Sequence, residues 1–149
     1  MASDPLPLVL NLPSDLARVA QARDCVLQVC QSTGIELAEA QGFALAVHEA
    51  LTNVIRHAHR NSPEAALELR CFSKLDSVEV HILDEGEPFD VTAVPHLDPA
   101  ELRVGGRGVF LMRTLADEIS CERRGERGNL LRLVKRKRSG PDSASCSDR

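Results

Sequence analysis

The spacing of apolar residues changes once along this chain, and that change limits the folds open to it. Up to about Ala58 the apolar positions recur at helical intervals; from Leu67 onward they alternate. Leu67, Leu69 and Cys71 alternate with Glu68 and Arg70, and Val78, Val80 and Ile82 alternate with Glu79 and His81. Successive side chains of a strand point to opposite faces, so both segments predict half-buried strands, joined by a hairpin through Ser73 to Ser77. Ahead of them, Leu8-Val9-Leu10 predicts a short strand and Pro13-Ser14-Asp15 a helix N-cap. A helix follows from about Leu16 to Cys30, with Val19, Val26, Leu27 and Cys30 as its buried stripe, and Thr33-Gly34 breaks it. A second helix runs from about Glu36 to Ala58. The stretch from Glu85 to Val104 is Pro-rich and irregular, and a loop that long in a compact domain usually carries function. Gly105 to Gly108 open a third helix, about Val109 to Ala116; Ile119–Cys121 and Leu130–Val134 predict two closing strands around Gly125 to Gly128. The order β-α-α-β-β-loop-α-β-β predicts an α+β two-layer sandwich, with helices on one face of a mixed, mostly antiparallel sheet.

Composition removes other classes. With 149 residues the chain suits one domain large enough to need no disulfide or metal as a staple. At 43% hydrophobic and 27% charged it is neither disordered nor collagen-like. No apolar run approaches the ~20 residues of a membrane span. Met1 to Leu12 lacks the basic start and apolar core of a secretory signal, which predicts a cytoplasmic location. The five cysteines are scattered without a CxxC pair and read as reduced thiols. A net charge of -4 argues against nucleic acid as a direct partner. The basic run Lys135 to Arg138 reads as a solvated strand end, giving a domain over 1–136 and a disordered polar tail over 137–149.

Three polar segments carry chemistry. On the second helix Val47, Leu51, Val54, Ile55 and Ala58 fall on one side, and Glu49, Thr52, Asn53, Arg56, His57 and Arg60 on the other. Glu49 and Asn53 stand one turn apart, where a carboxylate and a carboxamide can hold a hard cation or orient a hydroxyl. Taken alone, the same face also reads as an ordinary solvated surface. Asp84-Glu85-Gly86 ends the strand Val78–Leu83; a carboxylate there is free to accept from a ligand amine, and Gly86 permits close approach. Asp-x-Gly is equally a common turn. Gly105-Gly106-Arg107-Gly108 leaves backbone N–H groups unshielded at a helix start, where the helix dipole favours phosphate. It is neither a Walker loop nor the Rossmann fingerprint. In this order the segments describe a nucleotide site: a metal-and-phosphate face, a base-recognising acid, a lid and a phosphate cradle.

These segments carry a family resemblance. Glu49-Ala-Leu-Thr-Asn53-Val-Ile-Arg-His57-Ala resembles the N-box of the GHKL (Bergerat-fold) ATPases, Asp84-x-Gly86 their first glycine box and Gly106-x-Gly108 their second. The wording Asp-Glu-Gly-Glu-Pro88-Phe89-Asp90 and Gly-Gly-Arg-Gly-Val-Phe-Leu-Met is similar to the anti-sigma-factor serine/threonine kinases of that superfamily. The resemblance runs from about Leu8 to Lys135 and implies the histidine-kinase-like ATPase fold. It further implies that Asn53 coordinates Mg²⁺ on the ATP phosphates, Glu49 is the general base, and Asp84 meets the adenine amino group with Gly86 shaping the pocket. Gly105, Gly106, Arg107 and Gly108 flank the phosphates by the same reasoning. His57 receives no catalytic step. Val104, with Arg103 and Arg107 beside it, stands where related kinases often carry an arginine.

The function so implied is an ATP-dependent protein serine/threonine kinase that binds a sigma factor and phosphorylates an anti-sigma-factor antagonist. A homodimer is implied too, with the first strand and helix able to supply its surface. The alternative is a nucleotide-sensing, partner-switching module without phosphotransfer, which Val104 favours. A detached histidine-kinase catalytic domain fits less well, because the first ~30 residues offer one helix rather than the two-helix hairpin with a phosphoacceptor His.

Overall fold

The computed structural model describes residues 6–13, 15–58, 66–86, 106–126 and 128–138. Strand β1 (Leu8–Pro13) leads to helices α1 (Leu16–Thr33) and α2 (Leu37–Asn53), the latter continued by a π-helical turn over Val54–Ala58. Strands β2 (Ala66–Ser73) and β3 (Ser77–Asp84) follow, then α3 (Gly106–Leu115), β4 (Glu118–Arg123) and β5 (Asn129–Arg136). The strands form one sheet in the order β1-β2-β3-β5-β4. Every described pairing is antiparallel, in keeping with the mostly antiparallel sheet expected.

Alternation decides which face is covered. Leu67, Leu69 and Cys71 of β2, Val78, Val80 and Ile82 of β3, and Leu131 and Leu133 of β5 are buried in one core with the helices. Helix α1 meets them with Val19, Ala22, Val26 and Cys30, a spacing of three and four that keeps one stripe inward. Leu27, expected in that stripe, is only partly buried. The Asp15 carboxylate caps the start of α1 by accepting from Ala17 N at 3.0 Å. Gly34 ends the helix at φ 97°, donating to the carbonyls of Cys30 and Gln31, at the Thr33-Gly34 break the sequence predicts, so the helix runs through Thr33 rather than stopping at Cys30. Burial pushes the Cys30 and Cys71 thiols up to about 12, so both are inert packing groups. Among the described residues Cys25, Cys30 and Cys71 are not in disulfides.

Helix α2 carries the middle of the helical layer, against α1 on one side and α3 on the other, with Phe43, Ala46, Val47, Ala50 and Leu51 buried. Gly42 lets α3 come close: a Cβ there would lie 3.2 Å from Leu115. The end of α3 is thereby held against the first half of α2, and the end of β3 lies in the sheet beneath this layer.

The basic strand end departs from expectation at its first residue. Lys135 is only 4% exposed, because its ammonium pairs with Glu39 of α2 at 2.5 Å. Arg138 bonds to Glu39 and Asp117, and Arg136 to Glu118. Lys135 is thus enclosed against α2, whereas Arg136, Lys137 and Arg138 are exposed as expected, two of them in surface ion pairs. Lys137 N donates to Asp76 O at 2.7 Å, and residues 139–149 lie outside the described part.

Candidate functional site

The end of β3 is built first by register. Asp84 pairs across the sheet with Leu67 on one side and Asn129 on the other, and shares the helix-facing side with Ile82. Its side chain is therefore only 1% exposed, in a place where a carboxylate needs donors. Two are supplied to Oδ1: Gly86 N at 2.8 Å, closing a tight turn, and Asn129 Nδ2 at 3.1 Å. The backbone of the same turn is held as well. Arg124 Nη1 donates to Asp84 O at 3.0 Å, and Gly128 N to Gly86 O at 3.1 Å. Gly128 has φ 101°, and a Cβ on it would lie 2.5 Å from Asp84 O, so only glycine brings the β4–β5 turn this close.

Helix α2 builds the second group. Asn53 ends the α-helical run, where the chain passes into the π-helical turn, a feature common at functional sites. It is 4% exposed, and its Nδ2 has no hydrogen-bond partner among the described residues. Thr52 is buried too, but satisfied by donating to His48 O at 2.9 Å. Arg56 is exposed and Glu49 half-buried. The polar side of this helix is therefore not one solvated face: Arg56 faces water while Asn53 is enclosed with a donor unused. Beside Glu49, burial lowers the His48 pKa, opposed by the Glu49 charge and aided by Arg23, which keeps that imidazole neutral at pH 7.

This donor set fits a nucleotide with its divalent cation. A buried carboxamide offers an oxygen to a hard cation and a spare N–H to a phosphate oxygen. No cluster of three or more His, Cys, Asp or Glu able to hold a metal occurs among the described residues. A cation here would lean on the phosphates for most of its ligands, which is how Mg²⁺ usually binds.

Of the remaining predicted residues, Gly106, Arg107 and Gly108 form the first turn of α3, with only the backbone of Arg107 described. Gly105, Arg103, Val104 and the stretch 87–100 lie outside the described residues, as does the His57 side chain. Asn129, Gly128 and Arg124 were missed from sequence. They follow Asp84 by 40 or more positions, and their one signal was the glycine-bounded turn before the last strand.

With this geometry in hand, the comparisons define the class. The histidine kinase-like ATPase domain profile matches residues 12–135, and the chain belongs to that family. Serine-protein kinase RsbW of Staphylococcus epidermidis is 30% identical over 135 residues, covering 85% of this chain and 84% of that protein. Serine-protein kinase RsbW of Listeria monocytogenes serotype 4a is 28% identical over 120 residues, covering 75% and 76%. Among solved structures, the catalytic domain of histidine kinase ThkA superposes with a TM-score of 0.50 at 12% identity, over 87% of this chain and 97% of that one. The histidine kinase domain of the Erythrobacter litoralis EL346 blue-light activated kinase gives 0.51 at 19% identity; this chain covers 62% of it and 85% of itself is matched. The two structural likenesses bear on the fold, which is the expected Bergerat-type α+β sandwich. The expected superfamily, and its serine/threonine-kinase branch, are borne out by the profile and the curated relatives. No described helix is long and apolar enough to cross a membrane.

Proposed function

We propose that this chain is an ATP-dependent serine/threonine protein kinase of the cytoplasm that binds a sigma factor and phosphorylates an anti-sigma-factor antagonist. The observation that carries the reading is the buried Asp84 carboxylate, held by Gly86 and Asn129 at the open end of a strand. Family membership and kinase relatives of similar length support it. In this reading Asp84 accepts from the adenine amino group, which selects adenine because a 6-oxo purine presents an acceptor there. Gly86 keeps the pocket wall low. Gly105, Gly106, Arg107 and Gly108 give the phosphates backbone donors at the start of α3.

Asn53 would hold Mg²⁺, which supplies neutralisation of the phosphate charge when bound. The serine or threonine oxygen bonds to the γ-phosphorus as the bond from that phosphorus to the β-phosphate bridging oxygen breaks. ADP leaves, and Glu49 takes the hydroxyl proton. Half-burial leaves Glu49 open to a protein substrate, and a positioned carboxylate contributes roughly 10²–10⁴-fold.

The same reading includes a homodimer. Strand β1 is an edge of the sheet, and Leu8, Val9 and Leu16 there are each more than 40% exposed. An uncovered apolar edge of this kind supports an interface built on β1 and α1. The test of the whole reading is transfer of labelled phosphate from Mg-ATP to antagonist proteins, compared with Glu49→Ala. Phosphoserine or phosphothreonine that disappears in the variant supports the kinase. Tight ATP binding with no transfer to any antagonist leaves the nucleotide-sensing module instead.

A further inference from the structure

We infer that Arg124, in the turn between β4 and β5, is a positioning residue for base recognition: it fixes the peptide that carries Asp84. This deepens the nucleotide reading and rests on it. The turn does not need this side chain for its own shape. Arg123 Nη2 closes it onto Glu126 O at 2.6 Å, and Gly125 and Gly128 supply its positive φ angles of 68° and 101°. Arg124 N already bonds within the turn, to Gly128 O at 3.1 Å. Its guanidinium instead crosses to the end of β3 and donates to the Asp84 carbonyl at 3.0 Å.

That carbonyl is the lever. Rotating the peptide after Asp84 changes where Gly86 N stands relative to the carboxylate it donates to. The other contacts restrain neighbouring points: Gly128 N holds Gly86 O, and Asn129 Nδ2 holds Oδ1. Arg124 acts on the carbonyl itself, and a charged donor makes a stronger bond than a neutral one.

The guanidinium reaches this point from a cleft of about 220 Å³ on the helix-free side, lined among others by Asn11, Glu68, Arg70, Glu85 and Arg124. Guanidinium and carboxylate residues are mixed along that cleft, and Arg70 is already bonded to Glu68. The cleft therefore selects ligands of neither sign, and the work of Arg124 is directed at β3.

The experiment titrates ADP and inosine diphosphate into wild type, Arg124→Ala, Arg124→Lys and Asp84→Asn, with melting curves for each. Only ADP carries the amino group that Asp84 reads, so the ratio of the two affinities isolates that contact. Arg124→Ala should lower the ratio by about 3- to 10-fold, the worth of one charged hydrogen bond at a part-exposed site. Arg124→Lys, which keeps a charged donor, should recover most of it. A purely structural role would lower the melting temperature or weaken both ligands alike, and an unchanged ratio in Arg124→Ala overturns the inference. Should Arg124→Ala not fold, Arg124→Gln carries the same test, with a shorter and uncharged donor. Failure of wild type to prefer ADP refutes the nucleotide reading beneath it, whereas a preference lost in Asp84→Asn but intact in Arg124→Ala refutes this inference alone.

Discussion

Two glycines in one turn give a matched pair of perturbations. Gly125 and Gly128 both have positive φ, 68° and 101°, so alanine at either position adopts a backbone conformation it disfavours. That term is about 1–2 kcal/mol for each. They differ in their surroundings. A Cβ at Gly125 meets nothing within 4 Å, whereas at Gly128 it lies 2.5 Å from Asp84 O and 3.3 Å from Glu85 Cα. Both of those atoms are backbone in a hydrogen-bonded turn, so no flexible side chain can swing away. Relief requires the β4–β5 turn to move off β3, weakening the bonds from Gly128 N to Gly86 O and from Asn129 Nδ2 to Asp84 Oδ1. Overpacking together with these bonds adds roughly 1–3 kcal/mol. Gly125→Ala should therefore lose about 1–2 kcal/mol and Gly128→Ala about 2–5 kcal/mol, the latter lowering the melting temperature by ~5–15 °C. Urea unfolding of the two variants measures the difference directly. Because the displaced atoms belong to the Asp84 turn, Gly128→Ala should also weaken ADP binding while Gly125→Ala leaves it unchanged. Equal stabilities for the two variants, within about 0.5 kcal/mol, would refute the claim that the turn is clamped on Asp84.

Other expectations test separate parts of the molecule. Glu49→Ala should lower phosphotransfer to an antagonist by roughly 10²–10⁴-fold while ADP affinity holds, read by labelling and calorimetry side by side. Glu79, on the helix-free face of the sheet, is bonded to Arg132 and His81 at 2.7 Å each and to Lys74 at 3.3 Å. The Arg132 bond leads in holding its carboxyl down at about 2, against an ordinary 4.5. A depressed carboxyl contributes stability that is present above its unfolded value and lost as pH falls from about 4.5 toward 2. Glu79→Gln should accordingly be less stable than wild type by about 1–3 kcal/mol at pH 7, the gap closing across that acid range in chemical denaturation. In the Lys135–Glu39 pair the cation is buried and the carboxylate half-exposed, so the two halves should behave differently. Lys135→Met replaces an enclosed cation with a chain of similar length and should be near neutral, whereas Glu39→Ala removes its nearest counter-charge, leaving Asp117 at 3.8 Å, and should destabilise by about 1–2 kcal/mol in a urea titration.

The fold was legible where burial writes a period into the sequence. Strands β2 and β3 alternate cleanly because one face is core and the other water, and their hairpin joins as the spacing predicts. Strand β1 runs three residues past Leu10: Leu10, Asn11 and Leu12 continue the alternation, but Pro13 reads locally as a helix-start signal, and proline is tolerated there because β1 is an edge. The π-helical turn after Asn53 leaves no mark, since Val54 and Ile55 are buried either way. Site residues divide along the same line. Glu49, Asn53, Asp84 and Gly86 sit in compact motifs readable from neighbours, although enclosure of Asn53 needed the packed helices. Arg124, Gly128 and Asn129 matter only because β5 lies beside β3, a long-range pairing that no local window contains. Lys135 was misread for the same reason: its partner Glu39 lies 96 residues earlier, on α2.

The central claim is that the end of β3 reads an adenine, and a crystal structure of the wild-type protein grown with ADP and magnesium addresses it most directly. The account predicts the 6-amino group of the base within hydrogen-bonding distance of the Asp84 carboxylate, with the phosphates between Asn53 and the first turn of α3. Nucleotide seated elsewhere, or that space filled by the protein's own side chains while nucleotide is bound in solution, would contradict it.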